Sequence, residues 1–182
     1  MRALAWKHAA FAALAVGLVM GAPSAVAQQD GMAPAREGQL HCYMPNVERK
    51  TCQSLAGYSF DGDSVSSSGA VLIMPQPLIV MSMTSSATMR DGALCGPLTQ
   101  ADLDSAHFTI EGAAASPEDE ANMRIALAQQ LAPLMNRDMC TRFTPAPGGG
   151  LVAESTLDGT PRPELNQPVI WVRPDDGYSV GP

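Results

Sequence analysis

Four cysteines, and the methionines and histidines around them, are the side chains whose type and spacing could do chemistry. Cys42, Cys52, Cys95 and Cys140 are even in number and contain no Cys-x-x-Cys pair, so two structural disulfides are expected rather than a zinc site. Of the three pairings that four cysteines allow, Cys42–Cys52 with Cys95–Cys140 is favoured. Loop-closure entropy alone gives the short loop about 2.7 kcal/mol and the long one about 4 kcal/mol.

Thioether and imidazole offer a second chemistry. Nine methionines lie beyond residue 27, against seven aromatic side chains. Met81 and Met83 share one face of a predicted strand, and His41 and Met44 flank Cys42. Soft thioether and imidazole ligands suit copper, above all Cu(I), which makes His41, Met44, Met81 and Met83 the alternative metal set. The ordinary role of methionine, filling irregular gaps in a core, competes with it.

Hydrolytic chemistry finds little support. There is no Gly-x-Ser-x-Gly elbow and no Ser-x-x-Lys, and His107 lies out of phase with Phe108 and Ile110, facing solvent. Asp61-Gly62-Asp63-Ser64 opens like a calcium loop, but Val65 follows and no glutamate stands at the twelfth position. No catalytic residue is assigned and no cofactor is expected beyond the copper alternative.

The elements that must position these groups begin with an export signal. Arg2 and Lys7 precede an apolar run from Ala9 to Met20, and Ala25-Val26-Ala27 supplies the small residues of a cleavage site. The run is too short for a membrane span of about 20 residues, so residues 1–27 read as a cleavable signal peptide. The product is then periplasmic or secreted, without stable membrane insertion. Cleavage removes Arg2 and Lys7, leaving 18 acidic against 9 basic side chains. That balance repels phosphate and anionic lipid and argues against nucleic acid.

Residues 28–40 are polar with Gly and Pro and read as a flexible lead-in. A short helix is expected over 47–56, ended by Gly57. Strands are expected at 70–74 and 78–84, separated by Pro75-Gln76-Pro77, with 64–68 a polar connection or a weak edge strand and 85–98 a loop. Thr99 with Asp102 has capping-box spacing, and Phe108 and Ile110 alternate as a strand. The main helix is placed at about 116–135, where Ser116 caps, Pro117 starts, and Met123, Leu127, Leu131 and Leu134 lie near one face. Pro133 should kink it or stop it early.

Residues 145–150, PAPGGG, read as a connector, further strands as 151–157 and 169–173, and 174–182 as a polar tail with Tyr178 exposed. Trp171 is expected in the core, with a partner-binding role as its rival. The sum is a single α+β domain over 41–173, with a small, mostly antiparallel sheet, one main helix and two disulfides. The function expected is non-catalytic, binding another exported protein or an envelope component; the alternatives are a periplasmic copper-binding protein and an enzyme whose site is assembled from distant residues without a local motif.

Overall fold

The structure, a computed structural model, describes residues 31–182; the signal peptide expected at residues 1–27 lies outside the described residues. A short helix, α1 (Ala33–Arg36), precedes β1 (Leu40–Tyr43). Next come β2 (Thr51–Cys52), β3 (Ser54–Asp61) and a long hairpin of β4 (Ser64–Pro75) and β5 (Leu78–Arg90). After β6 (Ala93–Pro97) the chain makes an excursion through α2 (Gln100–Asp104), β7 (His107–Ile110), β8 (Ala113–Ala114) and α3 (Pro117–Leu131). It returns as β9 (Asp138–Pro145) and β10 (Leu151–Leu157), followed by β11 (Thr160–Pro161), β12 (Gln167–Val172) and β13 (Ser179–Val180).

Eight of these strands close an antiparallel barrel in the order β4-β3-β1-β12-β10-β9-β6-β5, with β5 pairing back onto β4. The expected α+β fold is thus corrected to a mostly β fold. The error lay in the serine-rich segments. Residues 64–68, read as a connection or a weak edge strand, and most of 85–98, read as loop, are barrel wall paired on both sides. Their alternation is the reason: Ser66, Ser86 and Thr88 are exposed, while Val65, Ala87 and Met89 turn the other way. A barrel strand needs only one apolar face, so hydroxyl residues at every second position are compatible with it. The hairpin from Ser64 to Met89 carries no charged residue.

The helix expected at 47–56 is also absent, because Ser54, Leu55 and Ala56 pair with Tyr43, Cys42 and His41 of β1. Here cross-strand pairing overrides local propensity.

Both disulfides brace the wall from outside. Cys42–Cys52 is fully buried beneath Leu55, Ile170 and Tyr178. The covering is the chain end: β13 pairs in parallel with β2, and Lys50 Nζ donates to the Asp176 carbonyl at 2.8 Å. The segment read as a polar tail is therefore docked, and Tyr178 is half-buried rather than exposed. Cys95 and Cys140 face each other on β6 and β9, so their bond closes the base of the α2-to-α3 excursion. PAPGGG is the hairpin loop between β9 and β10, held by Ala146 N–H on the Gly150 carbonyl.

The described part of the expected lead-in, residues 31–40, is likewise not loose. Met32 and Ala35 are buried against Phe143, Ala153 and Val169, and the Arg36 guanidinium lies 4.1 Å over the Phe60 ring. These partners belong to opposite parts of the inner wall, so α1 plugs the barrel. Apolar burial offsets the ordering that a polar sequence suggests it would avoid.

α3 ends at Leu131, short of the expected 135, because Pro133 offers no N–H to continue the ladder. Met123 and Leu127 meet Met81 and Phe108, yet no residue of α3 is fully buried. Polar contacts fix the helix instead. Arg124 donates twice to the Ala106 carbonyl, at 2.9 and 2.6 Å, and Glu120 accepts from the Phe108 N–H.

Candidate functional site

The barrel's inner wall presents one connected polar group. His41 and Tyr43 are two apart on β1 and so share its inner face, while Cys42 between them points out to its disulfide. Trp171 of β12 stands directly opposite His41 on one side, and Ala56 of β3 on the other. The small Ala56 leaves room for Tyr58, two residues on, whose hydroxyl reaches His41 Nδ1 at 2.9 Å. The Tyr43 hydroxyl lies 3.2 Å from that of Tyr58. Nδ1, the Tyr58 hydroxyl and the Tyr43 hydroxyl therefore form a relay.

Around it the aromatic rings pack closely. The His41 ring stacks on Trp171 at 3.5 Å between centroids and lies 4.2 Å from Phe143. His41 is wholly buried, and its Nε2 has no hydrogen-bond partner, the only such buried side-chain atom among the described residues. Desolvation with no acid nearby lowers the His41 pKa to about 3, so the ring is neutral at any ordinary pH. Burial likewise pushes the Tyr43 hydroxyl up to about 12, opposed in part by its bond to Tyr58. The Tyr58 hydroxyl is raised as well, first by burial.

Beside the relay lies a cavity of about 190 Å³. Tyr43, Tyr58 and Phe143 form its aromatic wall, with Ser67, Ser85 and Thr141 supplying hydroxyls and Leu94 and Met139 apolar contact. Tyr58, Ser67 and Ser85 stand in one register row across β3, β4 and β5. The hydroxyls of Ser67, Ser85 and Thr141 are not among the buried unpartnered atoms, so they are open to solvent or to a ligand. No charged residue lines the space. A larger cleft of about 410 Å³ runs along the outer wall past Ser59, Asp61, Ser66 and Thr88. Both spaces open to solvent, and the lumen cavity differs in its uncharged, aromatic lining, whose few polar groups would fix a ligand's orientation.

The copper set is scattered. Met81 and Met83 pack with Phe108 at the α3 side of the hairpin, His41 is enclosed by rings, and Met44 is exposed at a left-handed turn with φ 49°. His107 is exposed and pairs with Glu120 at 3.3 Å. Trp171 serves inside the barrel as the platform for His41. Sequence reading missed Tyr58 and Tyr43 as site residues. The signal was present in the alternation His41-x-Tyr43 and Tyr58-x-Phe60, but the facing of two strands appears only with their register.

Fold and site together define a closed antiparallel β-barrel with a neutral, hydroxyl-lined lumen. No family model, curated protein or solved structure matches the chain. Its two disulfides fit an oxidising, extracellular or periplasmic environment, and among the described residues no helix is long and apolar enough to cross a membrane.

Proposed function

We propose that this chain is an exported, non-catalytic binding protein whose barrel lumen holds one small uncharged molecule. One observation carries the reading: the 190 Å³ cavity, walled by three rings and carrying open hydroxyls, with no charge in its lining. Eight-stranded barrels are wide enough either to be filled by side chains or to hold one small ligand. Here the filling is incomplete where the hydroxyls lie. The volume falls below the roughly 300–1,000 Å³ of drug-sized sites, so the ligand is small. Apart from Tyr43 and Tyr58, the lining has no acid, base or nucleophile beyond unactivated hydroxyls, which favours binding over catalysis. The signal-like leader and the disulfides support release into the periplasm or outside the cell.

Benzene is a sufficient probe of an accessible cavity. Its titration should shift the NMR signal of the Met139 methyl, which lines the space. Ser85→Leu should fill the cavity and abolish that shift while the variant stays folded. A Met139 signal that ignores benzene, or responds equally in Ser85→Leu, would exclude the lumen as a binding site.

A further inference from the structure

We infer that the lumen's occupant carries a hydrogen-bond-accepting oxygen that docks on the Tyr43 hydroxyl and thereby sets the tautomer of His41. The inference rests on the binding reading above and adds the chemistry of the ligand. At about 30 Å³ per water, the cavity's 190 Å³ is room for about six, which is the size of a single substituted ring.

The relay from Tyr43 through Tyr58 to His41 can run in two directions. In one, Tyr43 donates to Tyr58 and Tyr58 donates to Nδ1. The proton of the neutral imidazole is then on Nε2, where it is a buried donor with no acceptor. In the other, Nδ1–H donates to Tyr58 and Tyr58 donates to Tyr43. Nε2 is then a bare lone pair among rings, and the Tyr43 O–H is free to donate into the cavity that its side chain lines. Orphaned buried donors are rarer than under-satisfied acceptors. An occupant that accepts from Tyr43 removes the last free donor of the second arrangement and so selects Nδ1–H. A hydrocarbon gives Tyr43 nothing and leaves the balance where it was. With no charge in the lining, an ionic ligand group would find no counter-charge to offset whatever desolvation it suffers, so a neutral acceptor fits better.

Cyclohexanone and benzene, similar in size and different in hydrogen bonding, separate the possibilities. Cyclohexanone should bind about tenfold more tightly than benzene, the value of one net hydrogen bond. Tyr43→Phe should erase that preference. In ¹⁵N-histidine NMR, the His41 pair should move towards the Nδ1–H pattern with cyclohexanone and stay still with benzene. Should both probes bind equally, or the His41 tautomer not respond, the inference is overturned and the lumen reading stands. If neither binds, both fall. The tautomer measurement on the unsubstituted protein decides the question even where Tyr43→Phe does not fold.

Discussion

Acid should destabilise this protein well above the pH at which its carboxylates are neutralised, and His41 is the reason. In the fold its pKa is lowered to about 3 by burial; in the unfolded chain it returns to 6.5. Between these values the unfolded state binds a proton that the native state refuses, so stability is complete above pH 6.5 and falls as the pH drops. One proton corresponds to about 1.36 kcal/mol per pH unit, so going from pH 7.5 to 4.5 removes about 2.7 kcal/mol. For a domain of this size that is a fall in Tm of about 5–10 °C. The paired carboxylates do not share this window. Glu120, Asp158 and Glu164 have lowered pKa values, chiefly through hydrogen bonds, so they support the fold above the usual carboxylate range and lose that support only at lower pH. Thermal unfolding followed by circular dichroism at half-unit pH steps, on the wild type and on His41→Phe, isolates the term. The wild type should show the slope and His41→Phe should be flat from pH 7.5 to 4.5. A wild-type Tm that changes by less than about 2 °C would refute the reasoning, because His41 would then accept its proton without unfolding.

Three further perturbations test the framework around the site. Under mild dithiol, alkylation and mass spectrometry should find Cys95 and Cys140 labelled first, since Cys140 is half-exposed and both border a surface pocket, whereas Cys42 and Cys52 are fully buried; simultaneous labelling of all four would contradict it. Gly96→Ala should cost about 1–3 kcal/mol in urea unfolding, because an added Cβ meets the Ser86 carbonyl oxygen at 2.9 Å and forces β5 from β6; an unchanged midpoint would mean the strands separate freely. Thr99→Ala should cost about 1 kcal/mol, because Thr99 Oγ1 accepts from the Asp102 N–H and the Asp102 carboxylate accepts from the Thr99 N–H in return.

The parts of this fold that were legible in the sequence are the ones fixed by neighbours in the chain. Thr99 with Asp102, Ser116 with Pro117, Pro133 as a stop and Pro75-Gln76-Pro77 as a turn each work within a few residues, and each lies where its chemistry requires. Closure of the barrel is different in kind. It depends on β1 pairing with β12, as Leu40 does with Val172 and Tyr43 with Val169 at the far end of the chain, and on β4 finding both β3 and β5. No short window of Leu40–Tyr43, four residues long, declares such partners. The site inherits the same blindness. His41 was visible as an unusual residue, and its position beside Cys42 suggested metal chemistry. Its real neighbours, Tyr58, Phe143 and Trp171, come from three other strands.

Where the charge sits decides what kind of ligand the proposed binding role would favour. The sequence has net charge −7, yet the only buried acid among the described residues is Asp102, occupied as a helix cap. The remaining carboxylates stay on the outside, the 64–89 hairpin has none, and the lumen is neutral. An acidic shell lowers the local concentration of anions before they reach the barrel, and a neutral interior gives cations no partner once inside. Uncharged molecules alone meet neither barrier. Their association needs no electrostatic steering, so its rate should barely change between low and high salt, where a charged ligand's would fall or rise with screening. A benzene or cyclohexanone affinity that varies severalfold with ionic strength would place the binding event on the charged exterior and not in the lumen.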